Sequence, residues 1–92
     1  MSWEIAHDAT RRRFETRVDG ELCTLDYELD AGTMAITHVN VPDAVARRGI
    51  AGALTEAALA HARASGCRVI AQCPYAAWYV REHPQWTDVL AR

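Results

Sequence analysis

Two side chains in this sequence have the chemistry to move protons or to attack a carbonyl group, His38 and Cys73. An imidazole exchanges a proton near neutral pH, so His38 could serve as a general base. A thiol can act as a proton donor or as a nucleophile. Because Cys73 precedes Pro74, its backbone is expected to be extended and to lie at the end of a strand. For both residues the alternative is a structural role, with His38 as a hydrogen-bonded core histidine and Cys73 as a small buried hydrophobe.

A second feature combines two arginines with two glycines in the segment ARRGIAGAL, which starts at Ala46. The first N–H groups of a helix have no partner within the helix and carry the positive end of its dipole. A segment that opens a helix in this way suits an anion, and a diphosphate best of all. Small residues let phosphates approach the backbone, and guanidinium groups add charge-assisted bonds. The residues concerned are Arg47, Arg48, Gly49, Ile50, Ala51 and Gly52. The alternative is a helix start with two solvated arginines and with glycines retained for packing.

The candidate residues must be held in place by strands and helices. The first part of the chain has alternating apolar and polar side chains. Such period-two alternation over the first forty residues is typical of strands with one buried face. The predicted strands are 13–18, 21–29 and 33–41, with tight turns at Asp19-Gly20 and at Asp30-Ala31-Gly32. In the last of these strands we expect His38 to share a face with Met34 and Ile36.

After Pro42 the apolar spacing changes from strand-like to helical. The alanine-rich segment from about 48 to 65 is predicted to form a helix that Gly66 ends in the left-handed C′ conformation. A short apolar strand over 67–72 and a second helix over 75–82 follow, with Pro74 in the first turn of that helix. His83-Pro84 ends it, and 86–90 is a short closing element. The order β-β-β-β-α-β-α predicts an α/β (α+β) domain over 1–92, with a mixed, mostly antiparallel sheet and two main helices.

Size, charge and cysteine content restrict the function classes. Ninety-two residues make a single small domain, and a net charge of −2 gives no sign of a nucleic-acid or membrane partner. The three cysteines form no CxxC pair, so neither a disulfide framework nor a metal site is predicted. The N-terminus lacks the features of a signal peptide, and no apolar stretch approaches the roughly 20 residues of a membrane span. We therefore expect a cytoplasmic protein that is a monomer or a weak homodimer.

Several segments taken together resemble a known family, the small stand-alone GNAT-like acetyltransferases of the YjdJ/NATD type. The resemblance covers nearly the whole chain, and its specific parts are the His-x-x-Val-Pro motif starting at His38, the Cys-Pro motif at Cys73 and the later His83-Pro84. The broad GNAT pattern has Gln or Arg at a first position, followed by two residues, Gly, one residue, and Gly or Ala. Gly49 and Ala51 match the later positions, whereas the first position holds Ala46, which puts full coenzyme affinity in doubt.

The resemblance implies the GNAT acyl-CoA N-acyltransferase fold in a minimal version and acetyl-coenzyme A as the acyl donor. It implies that residues 47–52 bind the pyrophosphate and that the backbone of residues 38–41 pairs with the pantetheine arm. His38 is then expected beside the acetyl thioester as general base, with Cys73 either donating a proton to the leaving thiolate or accepting the acetyl group. Further residues expected at the coenzyme are Val39, Asn40, Val41, Pro74, Tyr75 and Tyr79; for the two tyrosines, core packing is the alternative.

Two functions remain open on these grounds. The first is an N-acetyltransferase that acts on an amine, without a metal. Since tight turns join the first strands, the acceptor pocket lacks the usual insertion, and a protruding group such as a protein lysine or an N-terminus suits it. The second is a non-catalytic module on the same fold that binds acyl-coenzyme A or a protein, which the departure at Ala46 favours.

Overall fold

The computed structural model, which describes residues 3–91, has one mixed sheet with helices packed against it. The strands of the described chain are β1 (Ala6–Asp8), β2 (Arg13–Val18), β3 (Glu21–Asp30), β4 (Thr33–Asn40) and β5 (Arg68–Ala71). The α-helices are α1 (Ile50–Ser65) and α2 (Pro74–Glu82), and short 3-10 helices cover Asp43–Val45 and Pro84–Val89. The predicted order of strands and helices and the α+β class are thus confirmed. β1 is the strand for which the pattern gave no bounds.

The sheet has the strand order β1-β2-β3-β4-β5, in which the first three pairings are antiparallel and the pairing of β4 with β5 is parallel. The predicted turn between β2 and β3 is present, with Asp19 and Gly20 both at positive φ (50° and 80°). Two consecutive residues at positive φ match the right-handed twist of a two-residue hairpin. Short turns of this kind fix the register of the meander that supports the site.

A single core lies between the sheet and α1. In α1 the buried residues recur at helical spacing and include Ile50, Leu54 and Ala58. They pack on buried strand residues such as Leu25 and Ile36. The helix ends at Gly66, whose φ of 75° is the left-handed conformation predicted for it. None of the helices in residues 3–91 combines the length and apolar character needed to cross a bilayer.

The opposite face of β2, β3 and β4 carries polar side chains, among them Arg13, Glu15, Asp26 and Glu28, and we call it the polar face. Its residues alternate with the buried ones along β2 and, apart from the buried Thr24, along the middle of β3. Arg13 and Asp26 are cross-strand partners there, with Nε 2.8 Å from Oδ1. Helix α1 does not cover this face, because its buried side chains join the core on the other side.

The prediction that His38 shares a face with Met34 and Ile36 is wrong. Met34 and Ile36 are almost fully buried, whereas His38 is exposed. The cause is a β-bulge in β4. Asp26 pairs with His38, but the next residue of β3 pairs with Ile36, so Thr37 is an extra residue without a cross-strand partner.

The bulge reverses the alternation for the rest of β4. His38 joins the polar face beside its partner Asp26, while Val39 packs against the core. The bulge is closed by the hydroxyl of Thr37, which donates to the carbonyl oxygen of Asp26 at 3.2 Å.

Beyond the bulge, β4 and β5 separate. Their ladder ends at the pair Ile36 and Ala71, and the N–H groups of Gln72 and Cys73 both donate to the carbonyl oxygen of Ile36 at 3.0 Å. β4 nevertheless continues to Asn40, which pairs with β3. The last residues of β4 therefore have a strand on one side only.

Candidate functional site

The segment between the first 3-10 helix and α1 is held in an uncommon backbone conformation. Ala46 is extended, and Arg47 and Gly49 both have positive φ (64° and 86°). A left-handed conformation costs roughly 1–2 kcal/mol for a residue other than glycine, so Arg47 stores strain at this point. Glycine meets the requirement at position 49 without that cost.

The N-terminus of α1 is left uncompensated by this arrangement. Gly49 is the N-cap residue, no side chain caps the helix, and the first turn contains no acidic residue. The orphan N–H groups and the positive end of the helix dipole are consequently available to an anion. The expected anion site at this helix start stays a prediction, and the absence of a cap and of acidic residues leaves its N–H groups open to an anion.

A cavity of about 260 Å³ lies against this helix start, and we call it the turn cavity. Its lining residues are Val41, Ala46, Arg47, Gly49, Ile50, Ala51, Gly52 and Tyr75. Gly52 lies where α1 approaches α2, since a Cβ atom there would be 3.4 Å from the Tyr75 hydroxyl and 3.5 Å from Cε2 of Tyr79. Any side chain larger than a methyl group at position 52 would extend into this space.

The turn cavity brings together seven of the predicted coenzyme residues, Val41, Arg47, Gly49, Ile50, Ala51, Gly52 and Tyr75. It also includes Ala46, the residue that departs from the family pattern. The remaining predicted residues lie outside its lining. Tyr79 is buried next to Gly52, Pro74 is in the first turn of α2, and Asn40 is the exposed last residue of β4.

Arg48 points away from the turn cavity. Its Nη1 lies 2.7 Å from Oδ2 of Asp19, in the hairpin between β2 and β3. Both side chains are largely exposed, so the ion pair is weak. Arg48 lines a different cavity together with Trp3.

His38 lies on the polar face, close to where β4 and β5 separate. Its Nδ1 is 3.1 Å from the hydroxyl oxygen of Thr37, and its ring is exposed. The neighbouring carboxylate of Asp26 is already paired with Arg13. The imidazole of His38 can therefore be reached by a molecule that approaches from the polar face.

Cys73 belongs to the core instead, with an exposed fraction of 7%. It is the N-cap residue of α2, and the N–H of Ala76 donates to its Sγ at 3.3 Å. Within residues 3–91 no hydrogen bond joins Cys73 to His38. The arrangement does not form the nucleophile–base pair that an acyl-cysteine route would need.

Two tyrosines of α2, Tyr75 and Tyr79, lie next to Gly52 at the turn cavity. Burial is the main cause that raises the pKa of Tyr75, with Cys73 adding to it. Burial likewise raises the pKa of Tyr79, followed by Glu56 and Tyr75. Both phenols therefore keep their protons at neutral pH and can act as hydrogen-bond donors. In residues 3–91 no group of three or more His, Cys, Asp and Glu side chains is gathered as a metal site requires.

Comparison with known proteins gives a consistent result. Residues 13–89 match the family model of the GCN5-related N-acetyl-transferases. The chain is 35% identical to Protein NATD1 of Xenopus tropicalis, over 90% of this chain and 79% of the relative. It is also 35% identical to Protein NATD1 of Homo sapiens, over 87% of this chain and 74% of the relative.

A solved structure has the same fold. The NMR solution structure of a GCN5-like protein from Staphylococcus aureus superposes with a TM-score of 0.78 at 25% sequence identity. The match covers 97% of this chain and 88% of that one. The minimal, mostly antiparallel sheet with two main helices is thus an architecture already known in an experimental structure.

Proposed function

Because this chain belongs to the GCN5-related N-acetyltransferase family, we propose that it transfers the acetyl group of acetyl-coenzyme A to an amine. The observation that carries the proposal is the position of the turn cavity. It lies at the uncapped N-terminus of α1 and extends to Val41, next to the stretch of β4 that has a strand on one side only. The helix start suits an anion, and the strand edge beside it suits an extended chain with amide groups. A ligand that joins a diphosphate to a long amide-containing arm fits both.

The residues of the turn cavity fit the pyrophosphate of such a ligand. Backbone N–H groups of residues 50–52 can donate to phosphate oxygens, and Gly49 and Gly52 keep the approach free of side chains. Arg47 supplies positive charge from the lining. Ala46 offers no polar group at the first position of the motif, so Arg47 carries the electrostatic part of binding.

The pantetheine arm contains two amide groups, and β4 has backbone groups to pair with them. The edge of Val39, Asn40 and Val41 that faces away from β3 is not used by β5, whose ladder ends at Ile36. An extended arm that pairs there lengthens the sheet in the way that peptides add a strand to an exposed edge. The thioester then lies near the bulge at Thr37, between the polar face and the core.

The route of the proton is inferred from the positions of His38, on the polar face, and Cys73, in the core. An amine that approaches from the polar face loses a proton to His38 as its nitrogen bonds to the acetyl carbon. The carbon–sulfur bond breaks, and the sulfur takes the electron pair on the core side. The thiol of Cys73 and the hydroxyl of Tyr75 are the proton donors there. The acetyl group passes directly to the amine.

The acceptor is a primary amine on a protruding group, such as a protein lysine or an N-terminus. The polar face beside His38 is exposed and carries the carboxylates of Glu15 and Glu28, which favour a cationic acceptor. His38 lines neither the turn cavity nor the cavity that contains Trp3. A non-catalytic module that only binds acyl-coenzyme A is the second candidate, and Ala46 in the cavity lining favours it.

Isothermal titration with acetyl-coenzyme A tests the binding half of the proposal. We expect a saturable site in the wild type and an affinity reduced roughly 5- to 20-fold by Arg47→Ala, which removes one charge-assisted contact. Arg81→Ala is the matched control, since Arg81 is exposed on α2 and lines neither cavity. Release of free thiol in the presence of amines and lysine peptides then separates transfer from binding. Binding without acceptor-dependent thiol release favours the second candidate, and no binding overturns both.

A further inference from the structure

A second cavity adjoins the turn cavity, and we call it the tryptophan cavity. It has a volume of about 630 Å³ and is lined by Trp3, Arg17, Val18, Asp19 and Arg48. We propose that it binds the adenosine 3′-phosphate end of coenzyme A. The inference rests on the proposed function, because it places the nucleotide end of the same ligand whose pyrophosphate lies in the turn cavity.

The two cavities meet at the start of α1. Gly49 lines the turn cavity, and a Cβ atom on it would lie 3.9 Å from Cη2 of Trp3, in the tryptophan cavity. The consecutive arginines diverge at this point, with Arg47 in the lining of one cavity and Arg48 in that of the other. The turn cavity extends toward Val41 and Tyr75 on one side. A ligand that sends its pantetheine arm that way has its nucleotide end on the side of Trp3.

The chemistry of the lining fits an adenine nucleotide. The indole of Trp3 offers a flat aromatic surface on which a base can stack. Arg17 and Arg48 are the two cations in the lining and Asp19 the one anion, which leaves a net positive charge for a phosphate. The volume falls within the roughly 300–1,000 Å³ usual for small-molecule sites.

The pair between Arg48 and Asp19 does not close the tryptophan cavity. The exposed fractions of the two side chains are 46% and 67%, and an ion pair exposed to that degree is easily exchanged for another anion. Arg17 makes only one long contact, from Nη1 to the carbonyl oxygen of Gly20 at 3.5 Å. Both guanidinium groups can therefore turn toward a phosphate.

The indole is positioned by β1. His7 of this strand stacks on Phe14 with ring centroids 4.1 Å apart, and its Nε2 is 2.7 Å from the hydroxyl of Tyr27. His61 of α1 packs edge-on against the ring of His7, with ring centroids 4.3 Å apart. Because the strand is anchored four residues after Trp3, the indole is held beside Gly49 before any ligand arrives.

Titration of the wild type with coenzyme A, 3′-dephospho-coenzyme A and 4′-phosphopantetheine tests the inference, with tryptophan fluorescence as a second readout. We expect affinity to fall in that order. Arg17→Ala is expected to weaken coenzyme A roughly 5- to 20-fold while leaving 3′-dephospho-coenzyme A unchanged. Trp3→Ala is expected to weaken both coenzymes and to remove most of the fluorescence change, and Trp3→Phe to restore affinity. Arg81→Ala is the control for lost charge.

The outcomes separate this inference from the proposed function. If the wild type binds all three compounds with equal affinity, the pantetheine site and a contact to one phosphate stand, and the tryptophan cavity has no role in binding. Equal losses for coenzyme A and its dephospho form in Arg17→Ala likewise overturn the phosphate assignment. If the wild type binds none of the compounds, the proposed function fails and this inference fails with it.

Discussion

His38 and Cys73 lie on different sides of the point where β4 and β5 separate, His38 exposed on the polar face and Cys73 buried in the core. The backbone N–H of Cys73 nevertheless donates to Ile36, only two residues before His38. A group held between the strands there would have His38 on one side and Cys73 on the other. The proposed direct transfer requires such a position.

Replacement of His38 tests its role as the base. His38→Gln keeps a polar side chain on the exposed face but cannot accept the proton, so kcat is expected to fall about 100-fold or more. Affinity for acetyl-coenzyme A should stay within about twofold, because the proposed coenzyme contacts on β4 come from its backbone. Steady-state kinetics and titration of the same preparation measure both. An unchanged kcat would show that the proton goes elsewhere.

Two substitutions of Cys73 separate its structural and chemical roles. Serine caps a helix well, whereas alanine removes the bond from the N–H of Ala76 and costs about 1 kcal/mol. We expect the melting temperature of Cys73→Ser to match or exceed that of the wild type and that of Cys73→Ala to be lower.

The same residue provides a test of the route. Direct transfer predicts no acetylated Cys73 when the wild type is mixed with acetyl-coenzyme A in the absence of acceptor. Intact-mass spectrometry with peptide mapping is the measurement. A stoichiometric acetyl group on Cys73 that is discharged by an amine would establish the acyl-enzyme route instead.

Enlarging Gly52 should block the turn cavity without unfolding the domain. Alanine meets Tyr75 and Tyr79 at ordinary contact distances of 3.4 and 3.5 Å, so Gly52→Ala is expected to fold and to bind acetyl-coenzyme A nearly as well as the wild type. Gly52→Val adds two methyl groups at the cavity lining and should weaken binding at least tenfold. Circular dichroism confirms folding and calorimetry measures binding. If the valine variant and the wild type bind acetyl-coenzyme A with equal affinity, the ligand does not bind at this helix start.

Stability should decline on acidification because of His7. Burial is the main cause that lowers its pKa below 6.5, and His61 adds to it, while Asp8 opposes it. The unfolded chain therefore binds a proton at higher pH than the folded one, so stability is greatest above about pH 6.5 and falls as pH drops toward the lowered value. Urea unfolding at pH 7.5 and 5.5 is expected to show a lower free energy of unfolding at the acid pH, part of which comes from this residue.

His7→Gln is the matched variant, since an amide can still bond the hydroxyl of Tyr27 but does not titrate in this range. Its stability should depend less on pH between 7.5 and 5.5 than that of the wild type, whatever its absolute value. Identical pH dependences of the two proteins would assign the acid sensitivity to other groups.

Much of this fold follows from local patterns in the sequence. The Asp19-Gly20 turn and the left-handed Gly66 are set by neighbouring residues, and α1 follows from apolar residues at helical spacing. The uncapped start of α1 at Gly49 is local as well, and the glycines around it indicate it.

Features that depend on distant residues could not be predicted. The bulge at Thr37 moves His38 from the core side of the sheet to the polar face, and no residue type within β4 indicates a bulge. Arg48 leaves the turn cavity for Asp19, which is 29 residues away in sequence. Trp3 reaches Gly49 only because β1 pairs with β2 at the edge of the sheet.

The most direct test of the central claim is an NMR titration of the ¹⁵N-labelled protein with acetyl-coenzyme A. Phosphate oxygens bound at the start of α1 must shift the amide signals of Gly49, Ile50, Ala51 and Gly52, and an arm paired with β4 must shift those of residues 39–41. We expect the two sets to move together and to saturate at one equivalent. If binding saturates while these amides keep their positions, the turn cavity is not where the coenzyme binds.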